Sequence, residues 1–372
     1  MKFCCDVSAL VEGLNVVTRA LAVRPAKEIM EYVLLDASDR DEGLVLTCSD
    51  GNFTIQTSID ANITEEGKAA LKGRLLSEVV RKLPLGEVTM NVGSNSIAQI
   101  SCLSSKTRLL GKDAAEYPEM ESGYTPDCVI TVEESSLKIM INHVVFSIAS
   151  DESRPILTGA LLEVNETEAK MVALDGFRLA MHKIRMKVKP RANVESIRVT
   201  IPGRALREIR GILSDEDKEC ELHLTGGQLR VITGRTVIST VLLGGQFVDY
   251  MRIIPQQFKT EVLVNRNNLL QAIERTSLMA REGKNNLIHM RFSDGLVVIT
   301  SNAEIGEAHE EFEINLIGDP VEIAFNSKYI GDVVHNVEDE KLRMCMSGSI
   351  YPCVVKPENG DDYTYLILPV RV

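Results

Sequence analysis

The sequence predicts an α+β protein built from three copies of one unit, each with two helices packed on antiparallel sheets. Two observations indicate the repeat: a helix-spaced apolar pattern recurs about every third of the chain, and each copy of it is followed by alternating strand pairs. The third observation is size. With 372 residues, of which 44% are hydrophobic, the chain can form several separate cores.

The first helix of each copy is predicted at 6–22, 131–149 and 263–280. Each segment opens with polar residues suited to an N-cap and continues with apolar residues three and four positions apart. Leu10, Leu137 and Leu269 align in this register.

An alternating strand pair follows each first helix, at 44–59, 169–184 and 295–314. Period-two alternation around an Asp-Gly or Ser-Asn turn is the usual signal of a β-hairpin. Asp50, Asp175 and Asp294 each precede a glycine and are interpreted as turn formers.

The second helix is predicted at 73–83, 203–213 and 327–337. These segments give the clearest register of the repeat. The aligned sets are Leu76, Leu206 and Ile330, then Glu78, Glu208 and Asp332, then Val79, Ile209 and Val333.

A second hairpin, at 88–101, 220–233 and 341–355, and a closing strand complete each copy. The closing strands are predicted in 107–118, 238–250 and 364–372, so that the last strand runs to the carboxyl end. Segments with proline and glycine at 118–128 and 244–260 are typical of joints. We therefore expect domains at 1–121, 128–248 and 253–372.

Charge is distributed unevenly along the chain. Six windows over the predicted helices together carry +7, which leaves −19 for the rest of a chain whose total is −12; the windows are 8–21, 73–83, 136–148, 202–213, 265–281 and 326–337. Basic residues recur at helical spacing on two second helices, at Arg74, Arg81 and Lys82 and at Arg204, Arg207 and Arg210. The simple interpretation is a set of ordinary solvated helix faces, and the alternative is a basic track within an acidic body.

Several functional classes find no support in the sequence. Charged residues interrupt the amino-terminal segment where a signal peptide would be apolar, and no run is long enough to cross a bilayer, so we expect a cytoplasmic protein without membrane contact. The eight cysteines lack metal-ligand spacing. The run His-Glu-Glu at 309–311 lacks a second histidine, and no phosphate loop or nucleophile elbow occurs. We expect no catalytic residue, no metal and no cofactor.

Several motifs in order along the chain carry a resemblance to a known family. They are the opening Met-Lys-Phe, the pair Arg24 and Pro25, the segments 173–180, 247–255 and 325–330, and the ending Leu-Pro-Val-Arg-Val. Together these motifs resemble the bacterial DNA polymerase sliding clamps, the beta subunits of DNA polymerase III.

The resemblance implies three repeated sliding-clamp domains per chain and a ring formed by a head-to-tail homodimer. In such a ring the helices line a hole for double-stranded DNA, which is encircled without sequence-specific contacts. The residues expected near DNA are Arg24, Arg74, Arg81, Lys82, Arg204, Arg207 and Arg210. The residues expected at the dimer interface are Lys106, Leu109, Leu110, Leu278 and Met279.

The resemblance also implies a cleft that binds short peptides of the DNA polymerase III alpha subunit, the clamp loader, other polymerases and repair factors. Its expected residues are Leu157, Gly176, Phe177, Arg178, Leu179, Val248, Arg252, Ile253, Asn326, Tyr329, Ile350, Leu368, Pro369, Val370 and Arg371. Leu174, Phe177 and Val248 depart from the commonest family pattern and make the cleft more apolar. An apolar chain end is expected where partners cover it.

The main alternative is a repeat-built interaction scaffold that does not bind nucleic acid, for which the acidic total charge would be natural. The two functions differ in one measurable property, because only a ring depends on the topology of the DNA that it encloses.

Overall fold

The computed structural model describes residues 1–22, 25–118, 125–165, 167–185, 187–190, 197–293 and 295–371. The predicted DNA contact at Arg24, most of the joint at 118–128, the predicted turn former Asp294 and the terminal Val372 lie outside these residues.

The first copy begins with a strand and continues as two helices separated and followed by strands. Its elements are β1 Lys2–Asp6, α1 Val7–Val17, β2 Tyr32–Asp36, β3 Leu44–Ser49, β4 Phe53–Ile59, β5 Asn62–Glu65, β6 Lys68–Lys72, α2 Gly73–Arg81, β7 Glu87–Val92, β8 Ile97–Cys102 and β9 Ser105–Leu110.

The second copy repeats this order. Its elements are β10 Cys128–Glu133, α3 Glu134–Val145, β11 Gly159–Val164, β12 Glu168–Leu174, β13 Arg178–Arg185, β14 Lys187–Pro190, β15 Ile197–Pro202, α4 Gly203–Ile212, β16 Glu219–Leu224, β17 Gln228–Thr233 and β18 Thr236–Val241.

The third copy does the same. Its elements are β19 Thr260–Asn265, α5 Arg266–Glu282, β20 Leu287–Ser293, β21 Leu296–Ala303, β22 Gly306–Glu313, β23 Asn315–Gly318, β24 Val321–Asn326, α6 Ser327–His335, β25 Lys341–Met346, β26 Cys353–Pro357 and β27 Tyr363–Ile367. No helix in the described part of the chain is long and apolar enough to span a membrane.

The chain forms two compact units that cut across the second copy. One unit consists mainly of Met1–Ser135 and Glu208–Leu242, and the other mainly of Ser136–Lys187 and Leu243–Val372. The first unit holds sheets of order β5-β1-β7-β8-β9 and β14-β10-β16-β17-β18-β4-β3-β2-β6. The second holds sheets of order β15-β11-β12-β13-β27-β26-β25-β19-β23 and β22-β21-β20-β24.

Two strand pairs join the copies into these large sheets. β18 of the second copy pairs antiparallel with β4 of the first, with Ile238 opposite Ile55. β27 of the third copy pairs antiparallel with β13 of the second, with Leu366 opposite Leu179. The closing strand of one copy therefore pairs with the first hairpin of the preceding copy.

The helices bury one apolar face against the sheets. In α1 the side chains of Leu10 and Leu14 are fully buried. Gly13 lies where a Cβ would stand 2.7 Å from Leu46 Cδ1 and 3.0 Å from Ile59 Cγ2. A glycine costs roughly 1 kcal/mol inside a helix relative to alanine, and here it permits close approach of the helix to the sheet.

The predicted helices are confirmed with corrected bounds. The segments 131–133 and 263–265 were expected to be helical but belong to β10 and β19, and α3 and α5 begin at Glu134 and Arg266. Asn265 explains one boundary, because its backbone is extended and its side chain accepts a hydrogen bond from Asn268 N. The strand predicted to reach the carboxyl end stops at Ile367.

All eight cysteines are free thiols. Seven are buried, and Cys4 is half-buried. Burial raises the pKa of Cys5 to about 12, so that this thiol stays protonated at neutral pH.

A cluster of buried aromatic side chains ties α3 to β13 and β27. The rings of His143 and His182 stack with centroids 4.3 Å apart, and His143 is hydrogen-bonded to the hydroxyl of Tyr365. The Tyr363 hydroxyl donates to Asp339 at 2.6 Å. Burial lowers the pKa of His143 to about 4, and burial together with the neighbouring His143 lowers the pKa of His182 to about 3.

These imidazoles predict a loss of stability in mild acid. Their ordinary pKa is 6.5, so below that pH the unfolded chain binds protons that the folded chain excludes. Their contribution is complete above about pH 6.5 and falls by up to about 1.4 kcal/mol per pH unit for each histidine as the pH drops toward the folded pKa values. We expect His182→Phe, which keeps a stacked ring but cannot titrate, to reduce the fall in thermal midpoint between neutral pH and about pH 5. An unchanged fall in the variant would contradict this account.

Candidate functional site

The predicted cleft residues all lie in the second unit, and a tight turn between β12 and β13 organises them. Asp175 Oδ1 accepts hydrogen bonds from the backbone N of Phe177 at 2.9 Å and of Arg178 at 3.0 Å. Gly176 has φ +91, a left-handed conformation that favours glycine. The turn projects Phe177 outward, where 55% of the residue is exposed.

Arg178 is buried and holds three parts of the unit together. Its Nε donates to Asp175 Oδ2 at 3.1 Å, its Nη1 to Asp332 Oδ2 at 2.5 Å, and its Nη2 to the carbonyl of Phe146 at 2.7 Å. The guanidinium also lies 4.9 Å from the ring centroid of Tyr329. Arg178 therefore ties the turn at Asp175 to α6 and to the carbonyl of Phe146.

An aromatic pair forms an exposed wall beside this arginine. The rings of Phe177 and Tyr329 stack with centroids 5.3 Å apart and an angle of 19°. Tyr329 belongs to α6, and Asn326 is the N-cap of that helix, accepting a hydrogen bond from Lys328 N at 3.0 Å. The Asn326 side chain also donates to the carbonyl of Asn285 at 3.0 Å, so its polar atoms serve the local fold.

The chain end lies beside Phe177 and is fixed through its backbone. Leu368 N donates to the carbonyl of Phe177 at 2.9 Å, and Val370 N donates to the carbonyl of Ala324 at 2.8 Å. Leu368 is 37% exposed, Pro369 and Val370 are half-buried, and Arg371 is exposed. Two hydrogen bonds therefore fix the segment beyond β27 while leaving an apolar side chain accessible.

A buried apolar cluster in the same unit holds further predicted cleft residues. Leu157 and Leu179 are buried in it, and Val248 packs against it from its rim. The remaining members are Leu161, Val172, Leu174, Phe247, Tyr250, Ile254, Cys345, Val354 and Leu366. Two of the predicted cleft residues, Leu157 and Leu179, are therefore core side chains with little exposed surface.

Three predicted cleft residues stand on turns at the surface. Arg252 is exposed, and its Nε donates to Asp249 Oδ2 at 2.8 Å. Ile253 is 37% exposed at the end of the same short turn. Ile350 is 59% exposed between β25 and β26. Ile253 and Ile350 add exposed apolar surface, and none of the three residues takes part in the hydrogen bonds of Arg178.

Sequence reasoning missed the residues that support the cleft. Phe146 and Asp332 both contact Arg178, although they stand 32 and 154 positions away in the chain. One signal was present for Asp332, because the repeat aligned it with acidic Glu78 and Glu208. In the structure, Glu208 Oε2 accepts a hydrogen bond from Arg19 Nη1 at 3.2 Å.

The predicted DNA contacts differ in exposure. Arg74, Arg81, Lys82 and Arg207 are exposed, and Arg204 and Arg210 are half-buried. Arg81 Nε donates to Asn15 Oδ1 at 3.2 Å, which holds this arginine on the surface shared by α1 and α2. Arg19 was counted in the helix charge but not singled out, and it is a further accessible cation beside α4.

The third copy also presents basic side chains on its helices, which the prediction did not name. A groove of about 480 Å³ lies between α5 and α6 and is lined in part by Arg281, Lys328 and His335. Glu274 and Asp332 line it as well, so its charge is mixed. Within the described ranges, this groove included, no cluster of three or more His, Cys, Asp or Glu side chains could hold a metal ion.

The predicted interface residues lie on two elements. On β9, at the edge of its sheet, Lys106 is exposed and Leu110 is 75% exposed, whereas Leu109 is buried. On α5, Leu278 is 57% exposed and Met279 is half-buried. β22, the edge strand of the neighbouring sheet, was not part of the prediction.

The arginine contacts predict a large difference between two arginine variants. We expect Arg178→Met to lower the free energy of unfolding by about 3 kcal/mol, because it removes a buried guanidinium and leaves the half-buried carboxylates of Asp175 and Asp332 without this partner. Arg252→Met removes an arginine with 87% exposed side chain and should cost less than about 1 kcal/mol. Urea unfolding measures both, and equal losses would contradict the assignment of Arg178 as the residue that ties these parts together.

Comparisons with known proteins cover the whole chain. Family models described as the N-terminal, central and C-terminal domains of the DNA polymerase III beta subunit match residues 1–121, 131–249 and 251–371. The beta sliding clamp of Bacillus subtilis is 31% identical over 382 residues, covering 100% of both chains. That of Staphylococcus epidermidis is 30% identical and covers 100% of this chain and 99% of its own.

Solved structures agree. A DNA polymerase sliding clamp from Bacillus subtilis matches with TM-score 0.95 at 32% identity over 100% of this chain and 99% of its own. A putative DNA polymerase III beta subunit from Eubacterium rectale matches with TM-score 0.94 at 29% identity over 100% of both chains. With three domain models in order and relatives aligned from end to end, this chain belongs to the DNA polymerase III beta subunit family of sliding clamps.

Proposed function

We propose that the protein is a processivity factor for DNA replication: a non-catalytic ring that encircles double-stranded DNA and tethers the replicative polymerase. The proposal keeps the domain bounds 1–121, 128–248 and 253–372 and a cytoplasmic location. A scaffold that does not bind nucleic acid is not favoured, because the relatives that match over the full length are named sliding clamps.

The pairing of strands between copies carries the proposal. Each of these closing strands pairs with the second strand of the first hairpin in the preceding copy. β18 pairs in this way with β4, and β27 with β13. The first copy has no predecessor for its closing strand β9, and the third has no successor for β22. Both strands lie at sheet edges.

A second copy of the chain can satisfy both edges at once. If β9 of one protomer pairs with β22 of its partner, the same contact recurs at the other end, and a head-to-tail homodimer closes with six similar domains. Exposed Leu110 and Leu278 supply apolar surface for this interface. Lys106, Leu109 and Met279 complete the proposed contact region.

The basic helix residues supply the proposed contact with DNA. Arg74, Arg81, Lys82 and Arg207 are exposed on helices of a chain whose total charge is −12. Arg24, Arg204 and Arg210 complete the proposed set. Phosphate contacts carry no sequence information, so they permit sliding, while closure of the ring prevents escape.

The cleft supplies the proposed attachment of partners. The DNA polymerase III alpha subunit, the clamp loader, and other polymerases and repair factors would each insert a short motif between the Phe177 and Tyr329 rings and the chain end. The neighbouring apolar cluster favours leucine and aromatic side chains in that motif. Burial of each such side chain contributes roughly 1.5 to 3 kcal/mol.

A ring predicts retention on DNA that depends on topology. Protein loaded onto a nicked circular plasmid should remain with the DNA through gel filtration and should be released when the plasmid is cut once. The control is Leu110→Glu, which places a charge in the proposed interface and should give a monomer in sedimentation and no retention. Retention that survives linearisation would exclude an encircling ring.

The cleft predicts a separate loss of partner binding. We expect Leu368→Ala with Val370→Ala to weaken a fluorescent clamp-binding peptide of the polymerase alpha subunit by about tenfold or more, because apolar contact is lost. The backbone hydrogen bonds of the segment remain, so the thermal midpoint should stay near that of the parent.

The matched control for this variant is Ile317→Ala, which truncates a 68% exposed apolar residue on β23. It should leave peptide affinity unchanged. Undiminished binding by a well-folded double variant would show that the chain end is not a wall of the cleft.

A further inference from the structure

The joint between the first and second copies repeats the backbone of the partner-binding cleft. Asp50 Oδ1 accepts hydrogen bonds from the backbone N of Asn52 at 2.9 Å and of Phe53 at 2.8 Å, and Gly51 has φ +99. These contacts match those of the turn at Asp175. Each joint thus begins with the same tight turn.

The segment after the closing strand is also held in the same way. Val241 N donates to the carbonyl of Asn52 at 2.9 Å, as Leu368 N does to the carbonyl of Phe177. Asn52 therefore takes the place of Phe177, and Val241 the place of Leu368.

The side chains on this shared framework differ in kind. In the first unit, four residues on adjacent strands stand directly opposite one another and form a row across the sheet. They are Arg230, Ser239, Thr54 and Ser49. The equivalent row in the second unit is Val354, Leu366, Leu179 and Leu174, all in the buried apolar cluster. A cation and three hydroxyls stand where the cleft has four aliphatic side chains.

The smaller polar residues leave a cavity at this joint. Its volume is about 230 Å³, and its lining includes the whole polar row together with Tyr117 and Gln228. Among the described residues that line it, Arg230 alone carries a full charge. Ser239 Oγ is buried and has no hydrogen-bond partner within the described chain.

We propose that this cavity is a second binding site, separate from the partner cleft, and that it takes an oxyanion: a carboxylate or a phosphate group. An oxyanion accepts from the guanidinium and from hydroxyls that have no acceptor of their own. Ser49 Oγ and Thr54 Oγ1 lie 2.7 Å apart, and only one of them can donate to the other, so the second hydroxyl hydrogen remains for a ligand. An apolar ligand would leave the buried Ser239 hydroxyl without a partner.

Methyl NMR of the full chain tests the site directly, because Thr54 and Thr240 line the cavity and carry methyl groups. One titration uses inorganic phosphate, and a second uses a blocked Gly-Asp-Glu-Gly peptide with blocked Gly-Asn-Gln-Gly as its neutral match. We expect saturable shifts of both methyl signals with phosphate, with the acidic peptide or with both, and none with the neutral peptide. The probe that saturates the signals identifies the source of the oxyanion.

Variants distinguish binding at this site from nonspecific attraction of anions to positive charge. Arg230→Gln should weaken binding by about tenfold or more, as expected for loss of a charge-assisted hydrogen bond. The matched control Arg235→Gln, in the same hairpin but with 59% of its side chain exposed, should have no effect. Ser239→Ala should weaken binding about threefold or more while leaving stability unchanged or slightly raised, because it removes an unpartnered buried hydroxyl.

Two results would overturn the proposal. One is the absence of saturable shifts at Thr54 and Thr240 with either anion. The other is binding that is undiminished in both Ser239→Ala and Arg230→Gln, or in Ser239→Ala alone if Arg230→Gln does not fold. None of these results depends on ring formation or on polymerase peptides.

Discussion

The antiparallel pairing of a closing strand with the first hairpin of the preceding copy is the interaction on which the rest of the structure depends. It appears as β18 with β4 and as β27 with β13. Strand pairing satisfies backbone donors and acceptors along a whole edge, so it fixes register as well as contact. Both joints, and the sites built on them, inherit their geometry from this register.

The same framework supports two opposite environments. At the second joint, four aliphatic side chains fill the space and belong to a buried apolar cluster. At the first joint, an arginine and three hydroxyls occupy the equivalent positions and leave a cavity. The repeat therefore separates two requirements: the backbone determines where a site can form, and a row of four side chains determines its chemistry.

The repeat was visible in the sequence because helices and hairpins are local patterns. Leu76, Leu206 and Ile330 aligned, and the helices that contain them formed where expected. The strands directly before the helices were less evident, since a short apolar strand that runs into an apolar helix has no change of composition at the boundary. Asn265 marked one such boundary through its capping hydrogen bond, which becomes visible only with coordinates.

The exposed residues of the candidate site could be predicted from the sequence, but the residues that hold them in place could not. Phe177, Tyr329 and Leu368 followed from family resemblance, and the structure brings them together. The role of Arg178 depends on Phe146 and Asp332, which no local period connects to it. The polar row was equally hidden, because serine and threonine in alternating strands look like an ordinary solvent face.

The backbone of the chain end is fixed by hydrogen bonds from Leu368 N and Val370 N. Backbone contacts are nearly indifferent to residue type, so substitutions at these positions alter the exposed side chains without moving the segment. If the cleft binds partners as proposed, substitutions at these positions can change which motifs it prefers in small steps, each through a folded protein. A segment anchored by its backbone would then let partner choice diverge between related proteins while the architecture stays fixed.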